Sequence, residues 1–389
     1  RFSGEIDEGQ ATAGLIASLT DTGLALGKDA ASTLPGGAFI STGLALMGGL
    51  FLKRPGDKAK EKQEAEKSYT AGPFEGLSKP RSPETPQKPS SSRETDGEYR
   101  MRFRTSTTSP GCYLVDMDAD DHDWSQEFLL SSDRHHDNAH ADHRLEMLHL
   151  EEAVERDAGI LDIGDLFCAM QGKYDRRSDL SQCRPEHREG RYLDSLVETA
   201  ADFFEPYADR WVLLSPGNHE GSILKYHETD LTERLAERFR MKGSPVICGS
   251  YAGFVRFRVN YKGRSISRVL YYIHGHGGGG IMTHGTLNTR RRQSFLPDAD
   301  IVWSGHTHDA WNMRLSRAHL TTAGTVRLDD VHHVSTPGYK DEFSPLQGWH
   351  VERGAPPKPL GASWLRLSIE WFQKPTAHRR LRVEISEAK

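Results

Sequence analysis

Five short apolar runs, each ending in a cluster of Asp, His, Asn or Gly, constrain this chain more than any other feature. They read EFLLSSD (127–133), AGILDIGD (158–165), WVLLSPGNHE (211–220), RVLYYIHGHGGGG (268–280) and ADIVWSGHTH (299–308). Apolar runs this short, bounded by turn-forming residues, suit buried strands better than helices. Polar-apolar helical patterns separate several of them, at Arg144–Asp157, Tyr192–Tyr207 and Thr229–Arg240. Alternation of strand and helix predicts an α/β fold with its chemistry at the carboxyl ends of the strands. Val255–Tyr261 and Ser267–Tyr272 flank Lys262-Gly263 as a hairpin would, and residues 363–371 and 380–386 alternate like half-buried strands. The expected body is two sheets packed together with helices outside, and no repeat of solenoid period is present.

All 19 His and all 7 Trp lie beyond residue 121. Residues 1–70 read as a Gly/Ala-rich extension and 71–121 as a Pro/Ser-rich linker and lead-in, with residues 122–389 forming one domain of catalytic size whose start falls at about residue 101 or 122. Residues 71–98, with five prolines among Ser, Lys and Glu, cannot bury enough apolar surface to offset ordering, so the front end is expected to be largely disordered. Residues 38–52, AFISTGLALMGGLFL, are uncharged, but a spanning helix needs about 20 apolar residues and this run carries glycines. Membrane association is therefore not the expected role. The chain carries 50 Lys+Arg against 55 Asp+Glu, for a net charge of −5, which argues against coating nucleic acid through overall charge. Cys112, Cys168, Cys183 and Cys248 form no CxxC pair, which fits neither a zinc ribbon nor a disulfide scaffold and points to a reducing cytoplasm.

The strand-end clusters supply Asp133 and His135, then Asp165, Asn218 and His219, His274, and finally His306 and His308. These are oxygen and imidazole donors of the kind Mn²⁺, Fe or Zn²⁺ accept. Asp-x-His and His-x-His would each place two donors on one side of an extended segment. One bridging carboxylate would let the set hold two cations about 3.5–4 Å apart, the spacing used in phosphoryl displacement.

The ordered set Asp-x-His (133–135), Gly-Asp (164–165), Gly-Asn-His-Glu (217–220), His-Gly (274–275) and Gly-His-Thr-His (305–308) resembles the calcineurin-like metallophosphoesterase superfamily, in its phage and bacterial form. The resemblance spans residues 133–308. It implies a four-layer α-β-β-α sandwich of two mixed β-sheets flanked by helices, and a hydrolase acting on ester bonds. It further implies that Asp133, His135 and His308 bind one metal, that Asn218, His274 and His306 bind a second, and that Asp165 bridges both. A metal-bridging hydroxide would attack phosphorus, with His219 as general acid. The two divalent ions would be Mn²⁺, or else Fe or Zn²⁺. Many relatives carry a second Asp three residues after the first to orient the catalytic His; here that position is Cys168, so His219 needs another partner such as Glu220 or Asp175.

Arg290 and Arg291, in the basic triplet 290–292 between the fourth and fifth motifs, are candidate phosphate grips. The basic insert 171–191 is a candidate second wall of the cleft, and Gly277–Gly280 a loop at its rim. The neighbouring His136, His140, His143, His276 and His284 are expected to be supporting or surface residues. The substrate would be a phosphate ester, with a nucleic acid or nucleotide diester preferred over a monoester or phosphoprotein. The alternatives are a phosphomonoesterase or protein phosphatase, and a non-catalytic scaffold that retains the fold.

Overall fold

The five motif strands fall into two different sheets, and all five end at the same edge of the body. In the computed structural model, described over residues 103–171, 178–188, 190–277, 282–344, 346, 349–352, 354–372 and 378–388, the strands are β1 Phe103–Ser109, β2 Cys112–Asp118, β3 Ser125–Ser131, β4 Gly159–Asp162, β5 Trp211–Leu214, β6 Ile247–Cys248, β7 Ala252–Tyr261, β8 Arg264–Ile273, β9 Ile301–Ser304, β10 Trp311–Leu320, β11 Val326–Ser335, β12 Ala362–Phe372 and β13 His378–Ala388. The helices are α1 His143–Glu155, α2 Tyr192–Phe204, α3 Asn218–His227, α4 Leu231–Met241, α5 Leu287–Phe295 and the single turn α6 Trp349–Glu352. The expected extension, apolar run and Pro-rich linker lie outside the described residues, as do Lys173, Asp175, Arg176 and Arg177 of the basic insert and Gly278–Gly280.

One sheet runs β1-β2-β7-β8-β9-β11-β10 and the other β13-β12-β3-β4-β5-β6. Both are mixed. β3, β4, β5 and β6 are parallel to one another, as are β8, β9 and β11, whereas the hairpins β1–β2, β7–β8, β10–β11 and β12–β13 are antiparallel. Ser131 pairs with Asp162 and Asp162 with Leu214 in one sheet, and Ile273 pairs with Ser304 in the other. Each motif strand therefore stops level with its neighbour, one strand spacing of about 4.8 Å away.

Side-chain alternation builds the layers. In β3, Phe128 and Leu130 turn toward the opposite sheet, joining Val115, Phe257, Leu270, Ile301 and Trp303, while Leu129 turns toward the helices. The helix-side core joins Leu150 of α1, Leu196 and Phe204 of α2, and Leu235 and Phe239 of α4 to Trp211, Ile160 and Trp364. Three layers are thus well built. The expected fourth is thin: among the described residues, the outer face of the first sheet carries α5 and a small apolar cluster of Leu296, Ala299, Val302 and Val331. That face is instead largely polar, with Arg104 and Arg258 paired to Asp116 across β1, β2 and β7, so it needs no helix to cover it.

The lead-in assigned to residues 71–121 contains two working strands. β1 pairs with β2, and β2 pairs in parallel with β7, so the sheet body includes residues from Phe103 onward, close to the earlier of the two expected starts and ahead of residue 122. Its Val115 and Met117 are fully buried between the sheets. Polar alternation around Thr105–Ser109 disguised them as linker. The β10–β11 hairpin was also not foreseen, because β10 alternates half-buried and exposed residues without a strong apolar run. Where expected, Lys262 and Gly263 turn the β7–β8 hairpin, with φ of 47° and 71°.

Phe128 is fully buried, with its ring 4.8 Å from that of Phe257. Phe128→Ala is expected to lower unfolding free energy by about 3–5 kcal/mol in a denaturant titration, whereas Leu320→Ser at the exposed hairpin tip changes it by under about 0.5 kcal/mol.

Candidate metal centre

Six of the eight residues singled out by the strand-end motifs gather into two adjoining donor clusters, and the other two, Asn218 and His219, stand beside them. Asp133, His135 and His308 form one cluster, and Asp165, His274 and His306 the other, with the donor atoms of each within 4.8 Å of one another. In the first, His308 Nε2 lies 3.3 Å from His135 Nε2 and 3.4 Å from Asp133 Oδ1. In the second, His274 Nε2 lies 3.1 Å from both Asp165 Oδ2 and Asn218 Oδ1. The clusters adjoin, since His274 Nε2 is also 4.0 Å from Asp133 Oδ1.

The backbone at these positions differs from the extended form expected of Asp-x-His and His-x-His. Asp133, His135, Asp165, His306 and His308 have φ of 53°, 46°, 54°, 69° and 53°. Non-glycine residues adopt this left-handed region rarely and at some energetic cost. Past the last residues of β3, β4 and β9 the chain coils, and the coil rather than strand alternation brings the donors together. Asp133 N donates to Gly164 O and His135 N to Asp165 O, each at 2.9 Å, which ties the first two coils to each other. Close approach depends on glycine at two places: a Cβ on Gly217 would run into the Asp165 carboxylate, and one on Gly305 would meet Asp133 Oδ2 at 2.6 Å.

Arg134, between the first two donors, turns the opposite way. Its guanidinium is fully buried, 2.9 Å from Asp162 and 3.3 Å from Glu146, and lies over the rings of Tyr339, Phe204 and Trp211 at 4.7, 5.4 and 5.5 Å. Glu146 also takes His136 Nδ1 at 2.8 Å. Burial raises the Asp162 carboxyl to about 6 in spite of Arg134. At Glu146, burial is outweighed by His136 and Arg134, which hold the pKa at about 2. Nothing in the sequence marks Arg134 as interior; this clamp was not foreseen.

α3 begins at Asn218, so Asn218 and His219 stand at a helix N-terminus, where the helix dipole favours negative charge. Glu220 does not orient His219. Its carboxylate accepts the backbone N–H groups of Asp165, Phe167 and Gly217, at 3.1, 2.8 and 2.9 Å, and so fastens the Gly-Asp coil to the helix start. Asp175 lies outside the described residues. His219 Nδ1 instead donates to the backbone carbonyl of Cys168, which leaves Nε2 facing Asp165 Oδ2 at 3.7 Å. His274 is fixed the same way, with Nδ1 donating to Ile163 O at 3.0 Å and Nε2 turned to the carboxylate.

Carboxylates and imidazoles hold one another's charge where the donors meet. Burial works against charge on Asp133, but His308 and His274 outweigh it and bring the carboxyl to about 2; Asp165 is held well below the usual range against its burial, chiefly by His219 and His274. Burial likewise opposes charge on His274, yet Asp165 and Asp133 raise it to about 10. Asp133 Oδ1 is buried without a hydrogen bond of its own, and so is His135 Nδ1. An orphaned carboxylate oxygen among imidazole nitrogens is costly unless a cation takes its place in the network, so these residues fit divalent metal ions.

The basic triplet lies on α5. Arg291 is exposed, Arg292 is half-buried near Tyr271, and the side chain of Arg290 is outside the described set. The segment leading into α5 is tied to the centre by His284, whose Nδ1 is 3.1 Å from Asp309, the residue after His308. His136 is buried against Glu146, and His276 is exposed, in keeping with supporting and surface roles. All four cysteines are free. Among the described residues no helix is long and apolar enough to cross a membrane.

No protein-family model matches the chain, and no curated protein sequence matches it. Among solved structures, it is similar to a conserved uncharacterized protein of Streptococcus pneumoniae described as a predicted phosphoesterase, at 10% identity and a TM-score of 0.25, over 67% of this chain and 99% of that one. It is also similar to GAP50, the anchor in the inner membrane complex of Plasmodium, at 10% identity and a TM-score of 0.30, over 68% of this chain and 85% of that one. The chemical reading of the centre rests on its own residues.

Two outcomes follow. Gly217→Ala is expected to lower affinity for added Mn²⁺ at least tenfold in calorimetric titration, because the new methyl displaces Asp165. Arg134→Met, which strands Glu146 and Asp162 without their cation, is expected to lower unfolding free energy by about 3–5 kcal/mol, and Arg134→Lys to recover little of it, since an ammonium cannot make the same forked contacts.

Proposed function

We propose that this chain is a dinuclear metallophosphoesterase of the calcineurin-like superfamily, hydrolysing phosphodiesters. The observation that carries the reading is the adjoining pair of donor clusters, Asp133/His135/His308 and Asp165/His274/His306, joined where His274 faces both carboxylates. In this reading Asp133, His135 and His308 hold one cation, Asn218, His274 and His306 a second, and Asp165 contacts both. When bound, the cations supply an acidified water as nucleophile and neutralise charge developing on the phosphoryl oxygens.

The protein's own groups do the rest. Asp133 and Asp165 offset the charge of the cations from a site buried beneath the strand ends. His219 holds its Nδ1 proton on the Cys168 carbonyl, and so presents Nε2 to the site. A protonated Nε2 there is placed to give its proton to the leaving oxygen. The N-terminus of α3 favours the anionic phosphoryl group nearby. The choice of a diester is supported by the basic triplet on α5, tethered one residue beyond His308, which suits a substrate with charge on both sides of the scissile bond. Arg290 and Arg291 are its proposed grips, and a nucleic acid or nucleotide is the proposed substrate class.

With Mn²⁺, hydrolysis of bis-nitrophenyl phosphate is expected to exceed that of the mono-ester; the reverse preference would make the protein a phosphomonoesterase. Asp165→Asn is expected to lower kcat at least a thousandfold. His219→Asn should lose about a hundredfold on esters with poor leaving groups and much less on nitrophenyl esters, which need little protonation. Equal losses on both would remove His219 from the acid role.

A further inference from the structure

Cys168 brings a soft donor to the edge of an otherwise hard centre. Its Sγ and one ring nitrogen each of His135 and His219 lie within 4.8 Å of one another. The thiol is buried and accepts a hydrogen bond from Asn138 Nδ2 at 3.3 Å. His135 turns Nε2 toward His308, while Nδ1, on the other side of the ring, is buried and has no hydrogen-bond partner. The mixed cluster thus adds a thiol, a donor that the two carboxylate–imidazole clusters lack, and its His135 carries a second nitrogen that is not committed to a hydrogen bond. A further grouping, His136, His143 and Glu146, is chemically different: the guanidinium groups of Arg134 and Arg184 already stand against it, at 3.3 Å from Glu146 and 3.0 Å from His143, so a cation there would face two positive charges.

We propose that Cys168, His135 and His219 form a third cation site, selective for thiophilic divalent ions such as Zn²⁺ and Cd²⁺, that competes with the carboxylate-containing centre for His135. Thiolate sulfur prefers soft cations, whereas Mn²⁺ prefers the carboxylates of Asp133 and Asp165. Donors around a tetrahedral Zn²⁺ stand roughly 3.5 Å apart, so a contraction of at most about 1.3 Å between any two donors closes the cluster on an ion. Binding forms a metal–sulfur bond, breaks the S–H bond and releases the proton to solvent, with no change of oxidation state. A neutral imidazole offers one lone pair, so His135 serves one cation or the other. Occupation of the third site also engages His219. The ion is therefore an inhibitor that excess Mn²⁺ displaces. This last consequence rests on the phosphodiesterase reading; the site itself does not.

The test titrates Cd²⁺ into the full chain, metal-free and Mn²⁺-loaded, while recording the ultraviolet thiolate-to-cadmium charge-transfer band and, separately, diester hydrolysis. One thiolate per bound Cd²⁺ is expected, with the midpoint moved at least tenfold upward by saturating Mn²⁺. Cys168→Ser should abolish the band, and His219→Ala should weaken Cd²⁺ binding at least tenfold while keeping the band. Inhibition by Cd²⁺, scored against each protein's own uninhibited rate, should be at least tenfold less potent in Cys168→Ser. If that variant does not fold, the His219→Ala titration decides. An undiminished band in folded Cys168→Ser, or a midpoint indifferent to both Mn²⁺ and His219→Ala, overturns the proposal. Absence of hydrolysis with every metal would overturn the phosphodiesterase reading while leaving a Cys168-dependent band intact; hydrolysis without such a band would overturn the third site alone.

Discussion

The buried Arg134 guanidinium is the interaction on which the centre depends. Three aromatic rings and two carboxylates enclose it, and it sits between two donors whose backbones are both left-handed. The strain of that conformation is held in place because the intervening side chain is anchored deep among α1, α2 and β5. Asp162, the last residue of β4, receives the guanidinium and so links the first coil to the second strand. Arg134 with Asp162 and Glu146 together gain little net stability over an apolar replacement of all three, and the role of the network is geometric: it fixes which way Asp133 and His135 face.

Around that anchor, the two sheets divide the work. β3, β4 and β5 bring Asp133, His135, Asp165 and Asn218 from one sheet, and β8 and β9 bring His274, His306 and His308 from the other. The centre is therefore assembled only when the sheets pack on the Phe128–Phe257–Trp303 core. Main-chain carbonyls of Ile163 and Cys168 set the tautomers of His274 and His219, so no side chain is needed to orient either ring. This explains how Cys168 can stand where a carboxylate was expected. The thiol is then available for a chemistry of its own.

Most of the fold was legible because apolar runs and periodicity are local properties. The motif strands, α1, α2, α4, the β7–β8 hairpin and the β12–β13 pair lie within a few residues of the expected positions. β1, β2, β10 and β11 were not, because their outer faces carry charged pairs in place of apolar runs, such as Arg104 with Asp116 and Arg317 with Asp329, and β2 is held in the sheet by the distant β7, where Arg258 also pairs with Asp116. The candidate donors were legible for a similar reason: each sits just past a strand that announces itself. What each second nitrogen or carboxylate oxygen touches was not, because those partners come from other segments.

By itself, the sequence determined which side chains reach the ends of the strands, since a buried strand must stop where Asp, Asn, His and Gly begin. It therefore determined the inventory of donors. Only the tertiary structure decided how they face one another, because left-handed coils, glycine-permitted close approaches and a buried Arg134 are set by packing between segments distant in the chain. It also decided that Glu220 fastens backbone rather than His219, and that Cys168 lies within reach of two imidazoles.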